Sequence, residues 1–212
     1  MKELPRNILF DLGGVIEKIS PVAVAEEFKK LGMQEPGKFF SISGQSRLCE
    51  DFELGKIDSN FFIESIKMAL PKATDYQIIN AWNANLLGVT SDTIETLQSL
   101  KRKGHALYIL SNTNALHFDA ITEKFRDAHQ MELSSLFDQI FLSFKIGLRK
   151  PTEAFFKAVL DKLALSLNPS QAIFIDDLAP NTSAAEKLGL KTHTHKTNEP
   201  ISYLESGLCN FG

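Results

Sequence analysis

The sequence predicts an α/β fold, a doubly wound parallel sheet carrying an inserted helical cap. Three observations predict it. An apolar run over 7–15 carries Asp11 into a Gly13-Gly14 turn, residues 17–90 read as nearly all helical, and from Ser91 onward amphipathic segments alternate with compact apolar ones. Such a sheet uses right-handed crossovers and places its ligands at the carboxyl ends of its strands.

The first strand is the run Asn7-Ile8-Leu9-Phe10-Asp11-Leu12-Gly13-Gly14-Val15. Its glycines let backbone approach a ligand closely, and Asp11 would project from the sheet edge. Helical spacing of apolar residues over 22–31 ends at Gly32, a C-terminal capping position. Further amphipathic stretches cover 61–70 and 75–87, with Asp58 placed to cap the first of them. Residues 91–104 combine a capping residue, a basic last turn and a terminal glycine, and they lead into the apolar strand 106–110. A helix over 115–125, a strand over 139–142, a helix over 152–163, a strand over 172–175, a helix over 180–188 and a strand over 190–192 complete the alternation. The sheet-forming core is therefore expected over 1–16 and 91–212, with the cap over 17–90, packed on the carboxyl edge of the sheet as a lid.

At 212 residues with 43% hydrophobic and 23% charged positions, the chain is an ordinary globular one. Its net charge of −3 argues against a nucleic-acid partner and for small substrates or protein partners. Cys49 and Cys209 form no CxxC pair and read as plain thiols. The apolar N-terminal stretch is broken by Asp11 and two glycines and has no cleavage pattern, and no other run nears the roughly 20 apolar residues of a membrane span. No membrane association and a cytoplasmic location are the expectation. The sequence carries no signal for an oligomeric state.

Polar residues that follow the strands should converge on one site. Strand one delivers Asp11, the 106–110 strand delivers Ser111-Asn112-Thr113-Asn114, the loop after 139–142 carries Arg149-Lys150-Pro151, and the 172–175 strand delivers Asp176-Asp177. A nucleophilic carboxylate, a hydroxyl with an amide, a lysine and an acidic pair are the parts of Mg-assisted phosphoryl transfer. The acids hold a hard cation, the donors neutralise phosphoryl oxygens, and Asp11 attacks phosphorus.

In these four segments the chain resembles haloacid dehalogenase (HAD) superfamily phosphohydrolases: Phe10-Asp11-Leu12-Gly13-Gly14-Val15, Leu110-Ser111-Asn112-Thr113-Asn114, Gly147-Leu148-Arg149-Lys150-Pro151 and Phe174-Ile175-Asp176-Asp177, in that order, with a cap inserted after the first. Within the superfamily it is similar to a bacterial branch typified by an α-glucose-1-phosphate phosphatase. The resemblance implies a HAD-like Rossmannoid core, Asp11 as nucleophile, Ser111, Asn112 and Lys150 as phosphoryl binders, and Mg held by Asp11, the Gly13 carbonyl, Asp176 and Asp177. It also implies a sugar phosphate as substrate. The acidic pair counts against dehalogenation.

Most phosphatases of the superfamily carry an acid/base Asp where this chain has Gly13. General acid–base help is worth about 10² to 10⁴ in rate, or roughly 3 to 5 kcal/mol. A leaving group such as an anomeric oxygen needs less of it. Glu17, His117 or the cap acids Glu50, Asp51 and Glu53 are candidate replacements, and Arg47, in a loop over 43–52, is a candidate substrate contact. The alternative is a catalytically weak or inactive protein that binds a phosphorylated ligand. The C-terminal stretch is expected to pack on the core through Ile201, Tyr203 and Leu204.

Overall fold

The computed structural model describes residues 2–37, 47–166, 168–206 and 208–209. Beside a short antiparallel pair of β1 (Lys2–Glu3) with β9 (Leu208–Cys209), five strands form one parallel sheet: β2 (Asn7–Phe10), β5 (Ala106–Ser111), β6 (Gln139–Leu142), β7 (Ala172–Asp176) and β8 (Lys191–Thr194), in the order β6-β5-β2-β7-β8. From β2 the chain builds outward on one side through β5 and β6, then returns to lay β7 and β8 on the other. The order reverses at β2, so the crevice at its carboxyl end is where such sheets bind ligands.

Both faces of the sheet are covered, which is why these strands read as continuous apolar runs. Side chains alternate along each strand. Ile8, Phe10, Leu107, Ile109, Ile173 and Ile175 enter one core with Ile94, Leu97 and Leu100 of α5 (Ser91–Arg102) and with Ile121 and Phe125 of α6 (Ala115–His129). Leu9, Leu110 and Phe174 enter the other, with Phe155, Phe156, Val159 and Leu160 of α8 (Glu153–Lys162) and Ala185 of α9 (Ala179–Glu186). Ile201 and Leu204 are buried in the first core, with Tyr203 packed against it, as the sequence led us to expect.

Helices α1 (Ala23–Lys30), α2 (Arg47–Glu53), α3 (Ser59–Lys67) and α4 (Asp75–Trp82) gather around a third core of Phe28, Phe52, Phe62, Ile66, Ile78 and Trp82. Phe62 stacks on Phe52 at 4.4 Å and lies 4.7 Å from Trp82. Asp58 caps α3 by accepting from the Phe61 amide, and Gly32, at φ +101°, ends the turn after α1. The segment 17–90 is not uniformly helical, however. Short strands β3 (Lys18–Ile19) and β4 (Leu86–Gly88) pair antiparallel where the chain leaves and re-enters the core, and α4 stops at Trp82. Strands this short sit below what periodicity resolves, since two or three residues carry no period. The first strand likewise ends at Phe10, because residues 12–17 curl into a tight loop in which the Ile16 and Glu17 amides both donate to the Leu12 carbonyl.

The helical insertion is docked on the core at a second place. A short helix α7 (Ser143–Ile146), not anticipated from the sequence, follows β6. Its Ser143 Oγ lies 2.6 Å from the Glu53 carbonyl and 2.9 Å from that of Thr113, while accepting from the Thr113 amide. Gly55 then passes Phe144 so closely that a Cβ would fall 2.1 Å from the Phe144 carbonyl oxygen, at φ +67°. Only glycine fits there.

Candidate active site

The carboxyl ends of β2, β5 and β7 bring Asp11, Ser111 and Asp176 together, and the loop after α7 adds Lys150. The Asp11 amide donates to the Ile175 carbonyl at 2.8 Å, so sheet pairing extends one residue past β2 and fixes where the carboxylate leaves the sheet. Lys150, only 1% exposed, places Nζ 3.0 Å from Asp11 Oδ1 and 2.6 Å from Asp176 Oδ2, over the ring of Phe174. Ser111 is buried at the end of β5. Carboxylate oxygens of Asp11, Asp176 and Asp177 all lie within 4.8 Å of one another.

The two adjacent acids have different surroundings. Asp176 Oδ1 accepts from the Leu178 amide and from Asn181 Nδ2, and Oδ2 accepts from Asn181 Nδ2 and from Lys150 Nζ. That occupies about as many acceptor sites as a carboxylate offers. Asp177 instead accepts from Thr197 Oγ1 at 2.8 Å. Gly14 makes room for it, because at φ +80° a Cβ on Gly14 would lie 2.4 Å from Asp177 Oδ2.

Asn112 does not point its amide at an open pocket. Its Nδ2 donates to the Lys150 carbonyl at 2.8 Å and its Oδ1 accepts from the Lys150 amide at 2.9 Å, a two-pronged grip on the backbone that carries the lysine. The side chain is thereby engaged with the lysine loop, while the sequence placed Asn112 among the phosphoryl binders. A strand-end Asn reads alike in either role, since the difference lies in a loop 38 residues away.

Charge is unbalanced here, with three carboxylates against one ammonium. Burial pushes the Asp11 carboxyl up to about 8, opposed by Lys150 and reinforced by Asp176 and Asp177. Burial also raises Asp177, partly offset by the Thr197 hydroxyl. Burial alone would lower Lys150, but Asp11 and Asp176 outweigh it and hold its ammonium above the ordinary lysine value. An all-oxygen donor set with excess negative charge fits a hard divalent cation.

The remaining sequence candidates lie in other settings. Glu17 is 2% exposed, and its carboxylate accepts from the Gly88 amide at 2.6 Å, fastening β3 to β4. Arg47 has a 94% exposed side chain at the start of α2, 3.9 Å from Asp51. Of the 43–52 loop, residues 43–46 lie outside the described residues and 47–52 belong to α2. Glu53 and Glu50 reach Arg149 at 3.2 and 3.8 Å, and Asp51 pairs with Lys56. A Cβ on Gly13 would meet only Ile19, at an ordinary 3.6 Å, so space does not demand glycine there.

His117 joins the insertion to the core. Its ring stacks on Trp82 at 4.7 Å, with Nε2 3.0 Å from the Trp82 carbonyl and Nδ1 3.2 Å from Asn114 Nδ2. Asn114 Oδ1 already accepts from Trp82 Nε1 and from the His117 amide, so its Nδ2 must donate to Nδ1 and the ring is neutral with its proton on Nε2. Burial lowers the ring to about 4. The folded value lies below the unfolded one, so this contribution is complete above about pH 6.5 and is lost as pH falls toward 4. The expected loss is about 3 kcal/mol. Urea melts across that range should show His117→Gln with a flatter acid limb than wild type; parallel limbs would exclude the ring as their source.

Sequence reasoning missed Asn181, Thr197, Asn198 and Ser143. Only Asn181 carried a signal, a polar residue in the first turn of the helix that follows the Asp176-Asp177 strand end.

Comparison with known proteins accords with this geometry. The family model for haloacid dehalogenase-like hydrolases matches residues 5–189. A D-ribitol-5-phosphate phosphatase from Bacteroides thetaiotaomicron is 26% identical over 188 residues, covering 88% of this chain and 90% of the relative. A sesquiterpene phosphatase from Aspergillus oryzae is 27% identical over 184 residues, covering 86% and 85%. A wild-type HAD family enzyme from Bacteroides thetaiotaomicron, solved in complex with magnesium and inorganic phosphate, superposes with a TM-score of 0.85 at 31% identity, covering 94% of this chain and 98% of that one. The chain belongs to the haloacid dehalogenase-like hydrolases.

Proposed function

We propose that this hydrolase is a Mg-dependent phosphatase of small phosphorylated metabolites, acting through an aspartyl phosphate on Asp11. The observation that carries it is the buried cluster in which Lys150 Nζ lies between Asp11 and Asp176 while Asp11, Asp176 and Asp177 converge within 4.8 Å. Relatives named as phosphatases support the same chemistry.

Asp11, Asp177 and the Gly13 carbonyl are the groups that would hold the cation, with Asp176 beside them as the fourth. When bound, it supplies positive charge against the phosphoryl oxygens. Asp177 is the more available of the paired acids, because Asp176 is engaged in holding Lys150 and Asn181. Ser111 and Lys150 bind the phosphoryl oxygens, and Asn112 keeps the lysine loop in register. An oxygen of Asp11 forms a bond to phosphorus as the bond to the leaving oxygen breaks, and the leaving oxygen takes up the electron pair. Water then attacks phosphorus, releasing inorganic phosphate and restoring the carboxylate. Residues 17–90 act as the cap over this site and residues 1–16 and 91–212 as the catalytic core.

Gly13 brings no proton to the leaving oxygen. Substrates whose leaving group departs readily, an anomeric sugar phosphate among them, suit such a site. The relative named for D-ribitol 5-phosphate supports a polyhydroxylated phosphate more broadly. A cytoplasmic sugar or polyol phosphate is the substrate class assigned. The same glycine favours the second reading, a protein that binds such a ligand with little turnover.

Phosphate release measured across sugar, polyol and aryl phosphates, with Mg and with chelator, tests the proposal. Release on some members of the panel, lost on chelation, is expected. Binding of a sugar phosphate without release on any of them selects the second reading.

A further inference from the structure

The loop after β8 bears on the site without belonging to any segment that the four motifs single out. It leaves the sheet with the His195 amide donating to the Asp176 carbonyl at 2.9 Å. The His195 ring then folds the loop, with Nε2 3.0 Å from the Glu199 carbonyl and Nδ1 3.2 Å from the Tyr203 hydroxyl. Thr197 Oγ1 donates to Asp177 Oδ2 at 2.8 Å. Asn198, the next residue, grips a different part of the chain. Its Oδ1 accepts from the Ile19 amide and its Nδ2 donates to the Ile19 carbonyl, both at 2.8 Å, and its own amide donates to the Gly14 carbonyl at 2.8 Å. Asn198 sits at φ +64°, a backbone state that Asn tolerates better than most residues, and both ends of its amide meet the backbone of one residue, Ile19.

Two consecutive side chains thus contact a carboxylate of the acidic cluster and the strand by which the chain enters the helical insertion, 179 residues away in sequence. Gly14 lies between them, and its lack of a side chain lets Asp177 and Thr197 close over it. We propose that Thr197 and Asn198 form a strap that positions the Asp177 carboxylate for the divalent cation and holds the entry to the insertion in register with it. Both are positioning residues, acting through Asp177 and Ile19. The inference rests on the cation-dependent reading of the site. A hydroxyl donating to one carboxylate oxygen fixes the rotamer and leaves the other oxygen for the ion, the usual way in which outer partners tune metal ligands.

Calorimetric titration of the full-length protein with magnesium chloride tests the strap without using turnover. Thr197→Val, close in shape but lacking the donor, should bind Mg about 10-fold more weakly, and Thr197→Ser should stay within about 2-fold of wild type. Asn198→Gly keeps the positive φ but loses both contacts to Ile19. It should weaken Mg binding in the same direction and raise KM for a phosphomonoester more than it lowers kcat. Thermal melts establish that each variant is folded. If wild type binds Mg and both Thr197→Val and Asn198→Gly bind it equally well, the strap is wrong while the reading of the site stands. If wild type itself binds no Mg, the reading of the site falls and takes the strap with it.

Discussion

Asp11→Asn is expected to lose phosphatase activity by at least about 10³-fold, the scale on which removal of a nucleophile acts, while its melting temperature in chelator does not fall. The activity loss follows from the absence of a carboxylate oxygen that can bond to phosphorus. The retained stability follows from the surroundings. The substitution replaces a carboxyl that burial holds up to about 8 by a neutral amide of the same shape, keeps an oxygen to accept from the Leu12 amide at 2.6 Å, and leaves Lys150 its pairing with Asp176 at 2.6 Å. Steady-state phosphate release with an aryl phosphate and a thermal melt measure the two halves. An inactive, clearly destabilised variant would show that Asp11 matters to folding and would leave its role as nucleophile unsupported; a fully active one would sink the assignment.

Lys150→Met is expected to harm both activity and stability. A buried ammonium that balances two carboxylates cannot be removed without leaving buried charge unpaired, which typically costs about 3–5 kcal/mol. For a chain of this size that lowers the melting temperature by about 10 °C. Activity should drop by about 10² to 10³, as when one charge-stabilising donor is lost from a transition state. Because the deficit is one of positive charge, added Mg should raise the melting temperature of the variant more than that of wild type. Equal Mg responses in the two proteins would mean that the cation and Lys150 do not share the same carboxylates. Asn112, which holds the Lys150 backbone from both sides, makes the position of the ammonium depend on β5 as well as on its own loop.

How much of this was legible in the sequence depended on the range of the interaction. The parallel sheet was readable because strands buried on both faces must be apolar throughout, as β7 is at Ala172, Ile173, Phe174 and Ile175, and because capped amphipathic helices separate them. Asp11, Ser111 and the acidic pair were readable because a parallel sheet gathers the ends of its strands along one edge, whereas Lys150, eight residues past β6, was readable only from the motif that carries it. Helix ends set by local capping, such as Asp58 on α3, were also readable. The pairing of β3 with β4 was not, since its two strands are two and three residues long and separated by the whole insertion.

Roles that turn on a partner distant in the chain were equally hidden. Asn112 proved to grip the backbone of Lys150, Glu17 to fasten Gly88, and His117 to lock onto Trp82, each polar side chain satisfied inside the fold. Gly13 and Gly14 show the division within two residues. Both are glycines in the same turn, yet only Gly14 is required by its backbone and by the approach of Asp177, while Gly13 has room for a side chain that the sequence omits. The sequence by itself determined the sheet, the order of its strand ends and the chemistry gathered there. Tertiary structure alone decided which of those groups carry free lone pairs, because that depends on hydrogen bonds between segments that meet only when the chain is folded.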